Sequence, residues 1–144
     1  MTLAVSVYWW ARRLRHWVLT LALSVYGGML LNVLLKNVFQ RARPHFENPI
    51  LTLTSYGFPS GHTMAATVFY GTLCAFVMSR VRNWQLRSVV ISAACLMIAL
   101  VGFSRIYLGA HYLTDVLAAM VEGIIWVALS LTVVSFIRRR SRNQ

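Results

Sequence analysis

Hydrophobic residues in this chain come in four long runs separated by short, arginine-rich polar segments: Trp17 to Leu35, Thr63 to Ser79, Ser88 to Phe103 and Tyr112 to Ile137. A helix that crosses a bilayer needs roughly 20 predominantly apolar residues. Each run is thus read as one membrane span, with the second and third slightly short and their boundaries fixed only to within several residues. Polar residues inside the runs are few and placed. Asn32 is the only strongly polar residue of the first run, and the fourth carries Asp115 near its start and Glu122 about two turns later. Met1 to Trp10 is apolar but too short to span; it reads as an interfacial segment or the stub of something longer. The basic cluster Arg12, Arg13 and Arg15 follows this stretch rather than preceding it, the wrong order for a secretory signal. Lys36 to Tyr56 is a polar connection whose prolines argue against a continuous helix, and Pro59-Ser60-Gly61-His62 is a turn into the second run. The pattern predicts an all-α fold: an integral membrane helical bundle of about four transmembrane helices, one domain over residues 1–144.

Composition agrees with the pattern. With 58% hydrophobic and 12% charged residues, the chain does not have a soluble profile. A net charge of +11 would suggest a nucleic-acid partner in a soluble protein. Here the arginines lie between apolar runs, so topology explains them and no nucleic-acid partner is expected. Four spans alternate sides. That puts Arg12, Arg13, Arg15, Arg80, Arg82, Arg87, Arg138, Arg139, Arg140 and Arg142 on one side, against Lys36, Arg41, Arg43 and Arg105 on the other. The positive-inside rule makes the richer side cytoplasmic. The expectation is a bacterial inner-membrane protein with a cytoplasmic C-terminus and its polar chemistry on the periplasmic or extracellular face. Cys74 and Cys95 lie within apolar runs and read as small core residues. Trp9, Trp10, Trp17 and Trp84 sit near span ends, as an aromatic belt predicts; Trp126 does not.

Candidate chemistry gathers on the side with fewer cations. Ser104-Arg105 is followed by His111 and Asp115, spaced so that on a helix the last two would share a face. A carboxylate bonded to one imidazole nitrogen fixes the tautomer and leaves the other nitrogen free as base or nucleophile. Arg105 offers a permanently charged planar fork suited to phosphate oxygens. Lys36 and Arg43, at the end of the first run, bring the cations to three, enough to hold a phosphate and stabilise charge on it. Ser60 is a natural N-cap, Gly61 lets a ligand approach the backbone, and free N–H groups at a helix start bind anions. His62 would sit beside such an anion, able to protonate a leaving oxygen. A metal held by His62, His111 and Asp115 is disfavoured, because the three cations would surround it; no cofactor is expected. Other polar residues read as structural or solvated: His45 and Glu47 in the loop, His16 at an interface, and Glu122 as a hydrogen-bonding group inside the bundle.

These three segments resemble the tripartite signature of the type 2 phosphatidic acid phosphatase family: Lys36 to Arg43-Pro44, then Pro59-Ser60-Gly61-His62, then Ser104-Arg105 to His111 to Asp115, with every spacing matched. The resemblance covers the chain from about Lys36 to Asp115. It implies that His111 is the nucleophile forming a phosphohistidine, that Asp115 orients and polarises it, and that His62 protonates the leaving group and then activates water. It implies that Lys36, Arg43, Arg105, Ser60 and the Gly61 N–H hold the phosphoryl oxygens, with Ser104 beside them, and that no metal is needed. The implied activity is a membrane lipid phosphatase acting on phosphatidate, phosphatidylglycerol phosphate or undecaprenyl diphosphate. Membrane members of such a family have six spans with the first motif after the third. Here one span precedes Lys36, so two N-terminal helices are expected to be absent, leaving a flank that a second copy of the chain could cover. Other readings are a lipid phosphotransferase, a haloperoxidase, which the spans argue against, and a non-catalytic membrane subunit that binds a phospholipid headgroup.

Overall fold

The computed structural model describes residues 1–44 and 55–142; His45 and Glu47 lie outside the described residues. Its elements are all helical: α1 (Thr2–Ala11), α2 (Arg15–Ala22), a π-helical turn (Leu23–Gly27), α3 (Gly28–Phe39), α4 (Gly61–Met78), α5 (Trp84–Tyr107) and α6 (Leu113–Arg142). Among the described residues, four helices are long and apolar enough to cross a membrane: Arg15–Phe39, Gly61–Met78, Trp84–Tyr107 and Leu113–Ser141. They match the four hydrophobic runs. The short second run is completed by Gly61 and His62, and the third gains about one turn at each end.

Helix α4 is the centre of the bundle. Thr63, Met64, Ala66, Thr67, Val68 and Thr72 are buried along it, and α5 and α6 make its largest packing interfaces. Hydroxyls buried at lipid depth must find partners within the protein. Thr67 donates to the Thr63 carbonyl at 2.8 Å and Thr72 to the Val68 carbonyl at 2.7 Å, so both are satisfied inside their own helix. Close packing against α6 depends on Gly123, where an added Cβ would lie 2.6 Å from the Thr67 Cβ. By contrast, α5 fully buries only Gly102; one face, with Val90, Ala94, Ile98 and Val101, is half-buried, and the rest is exposed as a lipid-facing helix requires.

Helices α2 and α3 run on from one another through the π turn. Trp126, the tryptophan that no aromatic belt explained, packs at this turn. Its indole N–H donates to the Leu23 carbonyl at 3.1 Å, and a Cβ on Gly27 would sit 2.6 Å from its ring. A half-buried tryptophan usually finds a partner for its N–H, and the turn supplies one. The aromatic-belt reading needs correction at two more positions. Trp9 and Trp17 are 1% and 9% exposed, and both pack against Phe76. Helix α1 thus folds back on α2 and drives Trp9 into the core, whereas Trp10 and Trp84 are exposed.

Candidate functional site

The cations and histidines singled out above converge at the end of the bundle where α3 stops, α4 starts and the α5–α6 turn passes. Helix α3 ends at Gln40 in the left-handed region, φ 45°, which releases the chain into the segment carrying Arg41 and Arg43. Lys36, in the last turn of α3, donates to the Tyr56 carbonyl at 2.8 Å. Arg43 is fixed more fully. Its Nε donates to the Ser55 carbonyl at 2.7 Å and its Nη2 to the Ser55 hydroxyl at 2.9 Å. Nη1 donates to the Ala110 carbonyl at 2.8 Å and lies 3.2 Å from His111 Nε2.

His111 is 4% exposed. Gly109, at φ 67°, turns the chain between α5 and α6, a conformation glycine adopts at no steric cost. His111 follows it and precedes α6, so His111 and Asp115 do not share a helical face as their spacing suggested; a turn brings them together. The hydrogen bonds settle the tautomer. Nδ1 lies 2.7 Å from the Gly57 carbonyl, and a carbonyl only accepts, so Nδ1 carries the proton. Nε2 then presents its lone pair towards Arg43. Asp115 Oδ2 is 3.6 Å from Nδ1, beyond hydrogen-bonding distance, so the Gly57 carbonyl orients the ring and Asp115 acts on it through space. Burial, with Arg43 next, lowers the His111 pKa to about 4, while the Gly57 carbonyl and Asp115 act in the opposite sense. The ring is therefore neutral near pH 7.

Asp115 is fully buried, yet both carboxylate oxygens are occupied: Oδ1 pairs with Arg41 Nη1 at 2.9 Å and Oδ2 accepts from the Tyr112 N–H at 2.9 Å. Arg41 also donates to the Thr114 hydroxyl at 2.7 Å and stacks over the Tyr112 ring. Sequence reasoning passed over Arg41. The available signal was the scarcity of acids: a buried Asp115 needs a cationic partner, and Arg41 lies on the same side of the membrane.

The start of α4 carries the second motif. Ser60 occupies the N-cap position, but its hydroxyl does not cap the helix. It accepts from the Thr63 hydroxyl at 3.0 Å, and its backbone N–H donates to the Asp115 carbonyl at 3.1 Å. Gly61 lies against α3, where an added Cβ would come within 3.3 Å of the Asn32 Oδ1. His62 is exposed on the first turn, with Arg105, Arg43 and Lys36 as its charged neighbours. Arg105 ends α5 with its Nε donating to the Ser104 hydroxyl at 3.2 Å; that hydroxyl in turn donates to the Val101 carbonyl at 2.7 Å. Ser104 thus holds Arg105. Below the site, Asn32 donates to Glu122 Oε2 at 3.2 Å, which gives Glu122 the structural hydrogen bond expected of it. Among the described residues, no three side chains of His, Cys, Asp or Glu converge as metal ligands.

A four-span α-helical bundle with Lys36, Arg43, Arg105, His62 and His111 gathered at one end defines a class of polytopic membrane proteins with a polar, cationic cluster at one end of the bundle. The chain belongs to the PAP2 superfamily, whose sequence pattern matches residues 17–139. It is 37% identical over 113 residues to phosphatidylglycerophosphatase B of Bacillus subtilis, covering 77% of this chain and 55% of that protein. It is 31% identical over 115 residues to undecaprenyl-diphosphatase BcrC of the same organism, covering 77% of this chain and 54% of that one. The crystal structure of a transmembrane PAP2-type phosphatidylglycerolphosphate phosphatase from Bacillus subtilis superposes with a TM-score of 0.72 at 33% identity, covering 81% of this chain and 58% of that one. The chain therefore spans somewhat more than half the length of these relatives.

Proposed function

We propose that this protein is a metal-independent phosphatase that removes a phosphoryl group from a lipid phosphate or diphosphate through a phosphohistidine intermediate. The observation that carries this reading is the state of His111: buried, neutral, its Nδ1–H on the Gly57 carbonyl and its Nε2 lone pair beside Arg43. In the first step Nε2 attacks phosphorus, an N–P bond forms and the P–O bond to the lipid breaks. His62 gives its proton to the departing oxygen. The ring becomes cationic, and buried Asp115 at 3.6 Å stabilises that charge. In the second step water attacks phosphorus, His62 takes its proton, the N–P bond breaks and inorganic phosphate leaves. Lys36, Arg43, Arg105 and the N–H groups of the uncapped α4 start would hold the phosphoryl oxygens. Ser60 and Ser104 would serve the site by positioning the α4 start and Arg105.

A lipid-phosphate substrate is supported by the cluster's place at one end of the spans and by the relatives, whose names specify phosphatidylglycerophosphate and undecaprenyl diphosphate. The charge asymmetry of ten basic residues against four supports a periplasmic or extracellular site and a cytoplasmic C-terminus. The test is phosphate release from detergent-solubilised protein, with undecaprenyl diphosphate, phosphatidylglycerol phosphate and phosphatidate compared and His111→Ala as control. Release that the substitution abolishes is the expected result, and the ratio of rates identifies the preferred lipid. Equal release by wild type and His111→Ala would remove His111 as nucleophile. Transfer of phosphate to an acceptor lipid would make the protein a phosphotransferase.

A further inference from the structure

At the other end of the bundle, the α1–α2 turn, α2, the segment just past α4 and α6 line an open cavity of about 690 Å³ bordered by Arg13, His16, Arg80 and Arg138. His16 and Lys36 are twenty residues apart on one continuous helix, which at 1.5 Å per residue is about 30 Å, the thickness of the hydrocarbon core. The cavity therefore lies at the opposite membrane interface from the catalytic cluster. A bias of arginines towards one side explains their number there, but it does not require them to line one cavity.

Three features of this cavity point to a ligand. Among the described residues no acid offsets its charge: neither Asp115 nor Glu122 lines it. The one described side-chain hydrogen bond of Arg138 is to the His16 ring, whose Nε2 can accept from Nη1 at 3.4 Å, so the guanidinium meets a neutral acceptor and, among the described residues, no carboxylate. The start of α2 opens here as well, and Leu14 at its N-cap provides no side-chain bond, so the free N–H groups add to the attraction. Thr20 hydrogen-bonds back to the His16 carbonyl at 2.8 Å, and Ser79 and Ser135 place hydroxyls on the wall. Leu131, Val134 and Trp17 complete it with apolar surface. Such a mixture suits a phosphate group attached to something larger and partly apolar.

We propose that this cavity is a second anion site, distinct from the catalytic one, that binds a phosphate-bearing headgroup at the opposite membrane face. Arg80, Arg138 and Arg13 supply the charge-assisted hydrogen bonds. Occupancy ties the α1–α2 turn to the ends of α4 and α6. The same chemistry could come from an anionic phospholipid or from free phosphate.

The full chain in uncharged detergent is titrated with phosphatidylglycerol or with sodium phosphate at constant ionic strength, and the thermal unfolding midpoint is followed. Two variants test the cavity. Arg80→Gln/Arg138→Gln removes two lining charges, and Ser135→Trp fills the space while leaving every charge in place. Arg82→Gln/Arg140→Gln removes two charges that do not line the cavity. The catalytic cluster is common to all, so its own phosphate binding cancels in the comparison. The expected result is a saturable upward shift whose apparent affinity is weakened roughly tenfold or more in both cavity variants but not in the control. Response to phosphatidylglycerol alone identifies a lipid headgroup, and response to sodium phosphate as well identifies a soluble anion as sufficient. Should the double variant fail to fold, Ser135→Trp decides by itself. Unchanged affinity in Ser135→Trp, or no saturable shift with either ligand, would overturn the proposal.

Discussion

Arg43 and Arg138 sit at opposite ends of the same bundle, and their surroundings differ. Arg43 is held by the Ser55 carbonyl and hydroxyl and the Tyr56 and Ala110 carbonyls, and it touches His111 Nε2 at 3.2 Å. Arg138 has a single described contact, the His16 ring at 3.4 Å. At the first end each guanidinium is aimed before any ligand arrives, as is needed to stabilise charge that develops during a reaction. At the second end the arginines surround a space without being fixed across it. That suffices to attract an anion and not to act on one. On the two proposed readings, the difference separates a catalytic use of positive charge from a binding use.

The sharpest way to break this comparison is to remove the proposed nucleophile. His111→Ala is expected to lower phosphate release by about a thousandfold or more. Arg80→Gln/Arg138→Gln at the other end should leave the rate of turnover within about twofold. Both are read from initial rates on the same lipid. Comparable losses in the two would mean that the ends are not functionally separate.

Arg43→Gln sharpens the same contrast. Loss of one preorganised donor at a developing charge typically lowers turnover about a hundredfold. The substitution also makes a claim about pH. Folded His111 has its pKa lowered to about 4, and the reactive form is the neutral one. Activity should therefore persist below pH 6 and fall as pH drops through about 4, the acid limb of kcat/KM for the free enzyme. Arg43 is the second cause of the depression after burial, so removing it should move the limb upward, towards the ordinary histidine value, without reaching it. A limb that stays in place in Arg43→Gln would mean that its charge is not felt by His111. The same shift affects stability. In the interval between about 4 and 6.5 the unfolded chain binds a proton that the folded one does not, so stability declines as pH falls through it.

Arg41 is the positioning partner that the motifs did not include. Breaking its pair with buried Asp115 leaves a carboxylate at zero exposure with one oxygen unpaired. Arg41 is itself 40% exposed, so the loss from Arg41→Gln should lie between the surface and buried extremes, about 2 kcal/mol. A lower unfolding midpoint and a shifted acid limb are expected together. An unaltered limb with a lowered midpoint would restrict Arg41 to stability.

What the sequence made legible divides along physical lines. Span positions were readable, because bilayer thickness imposes a length that any apolar run reveals. The clustering of Lys36, Arg43, His62, Arg105, His111 and Asp115 was readable from alternation of the spans alone. Contacts made by backbone carbonyls were not: the Gly57 oxygen that fixes His111 and the Ala110 oxygen that fixes Arg43 carry no side-chain signature. Spacing also misled where a turn replaced a helix, as at His111 and Asp115. Trp9 and Trp17 looked like interface anchors because the chain cannot announce that a ten-residue helix folds back and buries them.

Trp126 gives the smallest effect and isolates one hydrogen bond far from both charged ends. Trp126→Phe keeps an aromatic ring beside Gly27 but deprives the Leu23 carbonyl of its indole donor. The net worth of such a bond is about 1 kcal/mol, and the smaller ring adds a modest packing loss. The unfolding midpoint should drop by a few degrees, while the rate and the acid limb stay as in wild type, since no catalytic group touches the turn. If the rate fell as well, the π turn would be coupled to the position of Lys36 further along the same helix, and the separation between scaffold and site would have to be redrawn there.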